Sequence, residues 1–351
     1  MYLFLSVNFQ ISFFFVSLQP NLSIDISPMY YIITIVALMA FELLYFWVAK
    51  RLHIVDRPNE RSSHHRVALL GAGILFYFAI LFYSCTHGFP FPRFLIGATI
   101  LAVVSYADDL RPLPSWLRMV VQIAAVVLTF YVELSTLHVW QMLLMVIAFT
   151  AILNVYNFMD GINGMLAAYS LVVVGTFGYI FFFIQPFVDI ELIATLVIAL
   201  LIFAFFNFRT NARCFSGDVG SIVMGLTVIF LLTRYDAAIP DNGENVSYLC
   251  FIIVFLADGL LTVAKRFLNG KFIFEAHREH MYETLVNDLH VPHLRVAASY
   301  ALLQAAISVC YFLVPDKNLY TFVVALLLVL AYGLFFFYCR RTGKLKTDNN
   351  S

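Results

Sequence analysis

Apolar runs of roughly twenty residues, the length that crosses a hydrocarbon core as a helix, succeed one another along almost the whole chain, parted by short polar stretches. The pattern predicts an all-α, polytopic transmembrane helical bundle of about 11 spans, near 29–49, 68–86, 91–107, 118–134, 139–156, 164–185, 188–206, 219–235, 247–264, 296–314 and 319–339. Three segments are expected: an apolar N-terminal extension over 1–28, a membrane-embedded domain over 29–340 and a short tail over 341–351. The extension lacks a basic start and a small-residue cleavage site, so it makes a poor signal peptide. Met29 opens a complete span and is an alternative start; residues 1–28 are an extra span or an interfacial segment if present.

Composition agrees, since 62% hydrophobic against 12% charged residues leaves more apolar surface than a soluble domain of this length buries. Taking alternate loops as one side of the bilayer, that side carries 18 of the 21 Lys and Arg; only Arg93, Arg234 and Lys317 fall opposite. The positive-inside rule makes the rich side cytosolic and puts the C-terminal tail there. A net charge of zero means that ionic partners are met by local clusters, and nucleic acid is not an expected partner. Five scattered cysteines without CxxC spacing argue against a disulfide framework or a zinc site.

The dense polar clusters all fall on the basic side. Asp108 and Asp109 terminate the third span; an oxygen-rich pair suits a hard cation such as Mg²⁺ or a proton-accepting base, and the bland alternative is a solvated helix end held by Arg111. The stretch NVYNFMDGING places Asn154, Asn157, Asp160 and Asn163 after the fifth span, where amides can contact a nucleobase or complete a metal shell. The alternative is a polar turn, though three Asn, an Asp and two Gly exceed what a turn requires. In GDVGS, Gly217 and Gly220 flank Asp218, so amides at a helix start are candidates for holding phosphate while Asp218 reaches a metal; an Asp cap beside a close glycine contact is the other reading. The longest basic-side loop carries His277, Arg278 and His280, candidates for a diphosphate, with Glu275, Glu279 and Glu283 placed to orient the imidazoles. The first loop offers Arg57, Arg61 and His64 to anionic substrates or to lipid headgroups.

The motifs DRPNxRSSH, ADD, NxxNxxDGxNG, GDxGS and HRxH, in this order from about Met29 to the last span, resemble the polyprenyl-phosphate N-acetylhexosamine-1-phosphate transferases, glycosyltransferase family 4. Eleven spans with the tail inside look more like the undecaprenyl-phosphate GlcNAc-1-phosphate branch than the ten-span peptidoglycan branch. The family's Pro-x-Pro-Arg is replaced here by Val67-Ala68-Leu69-Leu70, and the peptidoglycan branch's triple His is absent.

The resemblance implies a Mg²⁺-dependent transfer, with Mn²⁺ as a substitute, of HexNAc-1-phosphate from a UDP-N-acetylhexosamine to undecaprenyl phosphate. UMP leaves, and a lipid-linked cell-envelope glycan is started at the cytosolic face of a bacterial inner membrane. It further implies Asp218 and Asn157 as metal-shell residues, Asp108 and Asp109 as carboxylates nearest the lipid phosphate, and Asp160 and Asn163 as nucleotide contacts. His277, Arg278 and His280 fall near the diphosphate and sugar. A homodimer is left open. Two rival classes are a transporter or flippase, for which Glu42, Glu133 and Asp258 are the main intramembrane charges, and an alcohol phosphatidyltransferase, whose DGxxAR signature is missing.

Overall fold

The computed structural model describes residues 28–56, 67–239, 247–271 and 278–343. Arg57, Arg61, His64, His277 and the segment 1–27 lie outside the described residues. The chain is helical nearly throughout, because in lipid each backbone N–H and C=O must find its partner within its own segment. In order the helices are α1 Pro28–Leu52, α2 Ile74–Thr86, α3 Pro92–Leu110, α4 Ser115–Thr129, α5 Tyr131–Ser135, α6 Val139–Phe158 and α7 Met165–Phe183. They continue with α8 Ile190–Asn207, α9 Gly217–Ala238, a 3₁₀ turn Ser247–Ile252 running into α10 Ile253–Leu268, α11 Met281–Asn287, α12 His293–Leu313 and α13 Lys317–Arg341.

Eight helical segments among the described residues are long and apolar enough to cross a membrane, which makes this a multi-pass membrane protein. The shorter α2 and α4 and the more polar α3 stand where the remaining three expected spans fall. Two expected boundaries differ. Residues 68–69 are not helical but pair as a strand, Ala68–Leu69, antiparallel to Val55–Asp56. Leu69 also bridges to Cys214, and Ala72 and Gly73 donate to Phe215 and Ser216 carbonyls at 2.9 and 3.0 Å. The backbone after the first basic loop is thus stitched to the backbone that leads into α9, and α2 starts only at Ile74. The fourth span ends at Thr129, and Tyr131–Ser135 turns off as the short α5.

The most enclosed helix is α9: 78% of its apolar stretch is buried in protein, against 17% for α13, whose leucines and phenylalanines face outward. It packs on α3 and α6 and crosses α2 where the Gly73 and Gly220 backbones touch. Small residues at such a crossing let backbones approach where lipid offers no hydrophobic drive. A Cβ on Gly220 would lie 2.7 Å from Gly73 Cα, a separation real side chains do not adopt. Gly220→Ala is therefore expected to part α2 from α9 and cost about 1–3 kcal/mol. A thermal melt of the detergent-solubilised protein checks this, and an unchanged midpoint would contradict the close crossing.

Candidate active site

The first cluster forms where the C-terminus of α3 meets the N-terminus of α9. Asp109 accepts the first amides of α9, from Asp218 N at 2.8 Å and Val219 N at 3.2 Å. A carboxylate there satisfies donors that have no partner within the helix and complements its dipole. Gly217, at φ +70°, lies against this carboxyl, and a side chain there would collide with it. The expectation that these amides are open to a phosphate is corrected: the protein's own Asp109 takes them.

Asp108 accepts Leu113 N at 2.5 Å and Arg118 Nη1 at 2.8 Å, and the same Nη1 reaches Asp218 Oδ2 at 3.3 Å. One guanidinium thus joins two carboxylates from two helices. Asp218 Oδ1 receives Asn157 Nδ2 at 2.8 Å, and Asn157 also donates to Ser221 Oγ at 3.1 Å. Asp160, in the turn after α6, accepts from Ser216 Oγ. Burial pushes the Asp160 carboxyl well above the ordinary range, and Asp218 and Asp109 add to this against the Ser216 hydrogen bond. Asp108, Asp109, Asn157, Asp160 and Asp218, remote in sequence, therefore make one cluster at the ends of three helices.

Other amides serve the scaffold. Asn163 Nδ2 donates to the Arg209 and Thr210 carbonyls at 3.0 and 3.2 Å, while Asn207 accepts Gly164 N at 2.8 Å and donates to Cys214 O at 2.8 Å. These bonds fasten the turn after α6 to the loop before α9, with Gly164 at φ +82° making the bend. Asn154, one helical turn before Asn157, donates instead to Gln122 Oε1 on α4 at 2.7 Å. The structure does not bring Asn154 into the carboxylate cluster.

The histidine loop is anchored from within the membrane. Asp258 of α10 accepts Met281 N at 2.8 Å, Tyr282 N at 3.2 Å and Tyr300 Oη at 2.7 Å, and faces His280 Nδ1 at 3.6 Å. It caps α11 as Asp109 caps α9. Tyr282 Oη then reaches across to Phe158 O at 2.8 Å and packs on Gly161, joining this loop to the Asp160 turn. Of the glutamates expected to orient the imidazoles, Glu275 lies outside the described residues and the other two have these partners. Glu279 pairs with Arg266 at 2.6 Å and Lys271 at 2.9 Å, and Glu283 accepts the His280 backbone amide at 3.2 Å. Arg278 Nη2 is buried with no hydrogen-bond partner among the described residues.

Two residues that matter here were not proposed as site residues from sequence. Arg118 was visible as the basic residue ten positions beyond Asp108, where Arg111 drew attention as the nearer cation. Asp258 was visible as a carboxylate inside an apolar span, a placement that demands partners.

Magnesium takes oxygen ligands and is commonly held by one or two carboxylates together with substrate phosphates and water. Among the described residues no group of three or more His, Cys, Asp or Glu is arranged as a ready-made metal cage. What exists is Asp218, touched by Asn157, with Asp108 brought alongside through a shared cation. This donor set fits a cation that completes its shell with phosphate oxygens.

Comparison with known proteins agrees with the motif order. The glycosyl transferase family 4 model matches residues 91–236, from the start of α3 to near the end of α9. An undecaprenyl-phosphate alpha-N-acetylglucosaminyl 1-phosphate transferase of Escherichia coli K12 is 28% identical over 280 residues, covering 72% of this chain and 75% of the relative. That of Yersinia pestis is 28% identical, covering 71% and 73%, and a probable one of Bacillus subtilis is 20% identical, covering 73% and 76%. Over residues 91–236 the chain thus matches glycosyl transferase family 4, and over some 70% of its length it is similar to these enzymes.

The anchoring of α11 should depend on pH. Burial disfavours the His280 imidazolium, but Asp258 more than offsets this and holds its pKa above the usual 6.5; burial pushes Glu283 up to about 7. Both groups are raised, so their stabilisation is complete below their ordinary values and fades as pH rises through the raised ones. Hydrogen exchange at the Met281 and Tyr282 amides, corrected for intrinsic rate, should lose protection on passing from mildly acidic to alkaline pH. Flat protection would contradict the role given to the His280–Asp258 pair.

Proposed function

We propose that the chain transfers HexNAc-1-phosphate, most directly GlcNAc-1-phosphate, from a UDP-N-acetylhexosamine to undecaprenyl phosphate, releasing UMP. The observation that carries this reading is the single cluster in which Arg118 joins Asp108 to Asp218 while Asn157 backs Asp218. Phosphoryl transfer needs positioning and charge balance more than covalent chemistry from the protein, and this cluster supplies both. An oxygen of the lipid phosphate attacks the β-phosphorus of the donor, and the bond to the α-phosphate breaks as UMP departs.

Asp218 and Asn157 would hold Mg²⁺, or Mn²⁺ in its place, which supplies Lewis-acid neutralisation of the diphosphate when bound. Arg118, with 38% of its side chain exposed, is the cation at the seam open to an incoming phosphate. A single displacement is favoured because each aspartate already has work: Asp109 caps α9, Asp108 pairs with Arg118, and Asp160 is hydrogen-bonded to Ser216. Asp160 and the Arg278–His280 segment, joined through Tyr282, form the side of the cluster suited to the nucleotide and sugar. The concentration of Lys and Arg on the cluster's side favours a cytosolic site in a bacterial inner membrane, where UDP-sugars are available.

Membranes bearing the chain, given labelled UDP-GlcNAc, undecaprenyl phosphate and Mg²⁺, should yield UMP and a lipid-linked sugar. Asp218→Asn should lower kcat about a hundredfold or more, as removal of a charge-stabilising group at a reacting centre does. Unchanged kcat at saturating Mg²⁺ would remove Asp218 from the site, and no lipid-linked product from any UDP-HexNAc would overturn the proposed reaction.

A further inference from the structure

At the opposite membrane face from the carboxylate cluster lies a second polar feature with no part in the reaction proposed above. Arg93 stands at the start of α3 and Arg234 near the end of α9. At 1.5 Å per helical residue each is about 22–24 Å along its helix from Asp108 and Asp218. Arg93 and Arg234 are two of only three basic residues that the charge count puts on that side. Both line one cavity of about 180 Å³, together with Glu133.

The walls are aromatic. Phe94 stacks on Phe230 at 4.1 Å, Phe91 meets Phe230 edge-on at 5.0 Å, and the Arg234 guanidinium lies 5.5 Å from the Phe91 ring. Neither arginine forms an ion pair among the described residues, and Glu133 does not reach them. Two buried polar atoms of the cavity residues, Arg234 Nε and Thr129 Oγ1, have no hydrogen-bond partner among the described residues. A guanidinium held against rings without a counter-ion is costly unless an anion completes it.

We propose that this cavity binds the phosphodiester headgroup of an anionic bilayer lipid, with Arg93 and Arg234 on the phosphate. Two arginines and one glutamate leave a local charge of one positive unit, which matches a monoanionic phosphodiester and disfavours a dianion. The aromatic lining and the outward-facing Tyr131 and Val132, 58% and 50% exposed, provide an apolar path for acyl chains beside the headgroup. A free phosphate has no use for that path.

Native mass spectrometry of the full chain in detergent tests this with phosphatidylglycerol, phosphatidylcholine and inorganic phosphate as separate probes. Phosphatidylglycerol should be retained as a tightly held, saturable adduct, and the other two should not. Arg93→Gln combined with Arg234→Gln should weaken that adduct about tenfold or more, the loss expected for charge-assisted hydrogen bonds. Glu133→Gln, which removes the one carboxylate, should strengthen it; this opposite effect decides the matter even if the double variant fails to fold. Retention of phosphatidylglycerol unaltered in the double variant, no gain in Glu133→Gln, or equal retention of phosphatidylcholine or inorganic phosphate would each overturn the proposal.

Discussion

The structure turns on the meeting of the Asp109 carboxylate with the first amides of α9. Four carboxylates within one cluster at the edge of a bilayer repel one another unless each finds a partner. Their juxtaposition stands because each has a specific partner: the α9 amides for Asp109, Arg118 for Asp108 and Asp218, Asn157 for Asp218, Ser216 for Asp160. Asp109 thus has the effect of a rivet. It holds the end of α3 against the start of α9 and leaves Asp218 facing Arg118 and Asn157. The close crossing of Gly73 and Gly220 makes room for the same geometry on the other flank of α9.

The histidine loop repeats the device. A carboxylate inside a span, Asp258, takes the first amides of a short helix and fixes its direction. Asp258 is one of three intramembrane charges, with Glu42 and Glu133, open to a transporter reading, and its bonds to Met281, Tyr282 and Tyr300 give it a structural task. That removes a main support of the rival class, while Tyr282 carries the constraint onward to the Asp160 turn.

The all-α bundle and the sites of its spans were legible in the chain because membrane helices advertise themselves by length and apolarity alone. The candidate cluster was legible as a set of residues, since Asp108, Asp109, Asn157, Asp160 and Asp218 interrupt apolar runs at a cost in lipid. Their partners were harder to read. Whether Arg111 or Arg118 meets Asp108 depends on how the chain turns through Pro112 and Pro114, and that turn has no periodic signature. The division of the asparagines follows similarly from packing: Asn154 and Asn157 share a helix face, yet one meets Gln122 on α4 and the other Asp218 on α9. Span two begins late because Ala68 and Leu69 pair with Val55–Asp56 and Leu69 bridges to Cys214, a choice that an apolar run conceals.

On the proposed reading, the seam between α3 and α9 gathers negative charge so that a divalent cation is shared with substrate phosphates. Electron paramagnetic resonance of Mn²⁺ added to the purified protein with UDP reads this without turnover. A bound-Mn²⁺ signal that needs UDP for its full strength and is lost in Asp218→Asn is expected. The same bound signal in Asp218→Asn as in the unaltered protein would contradict it.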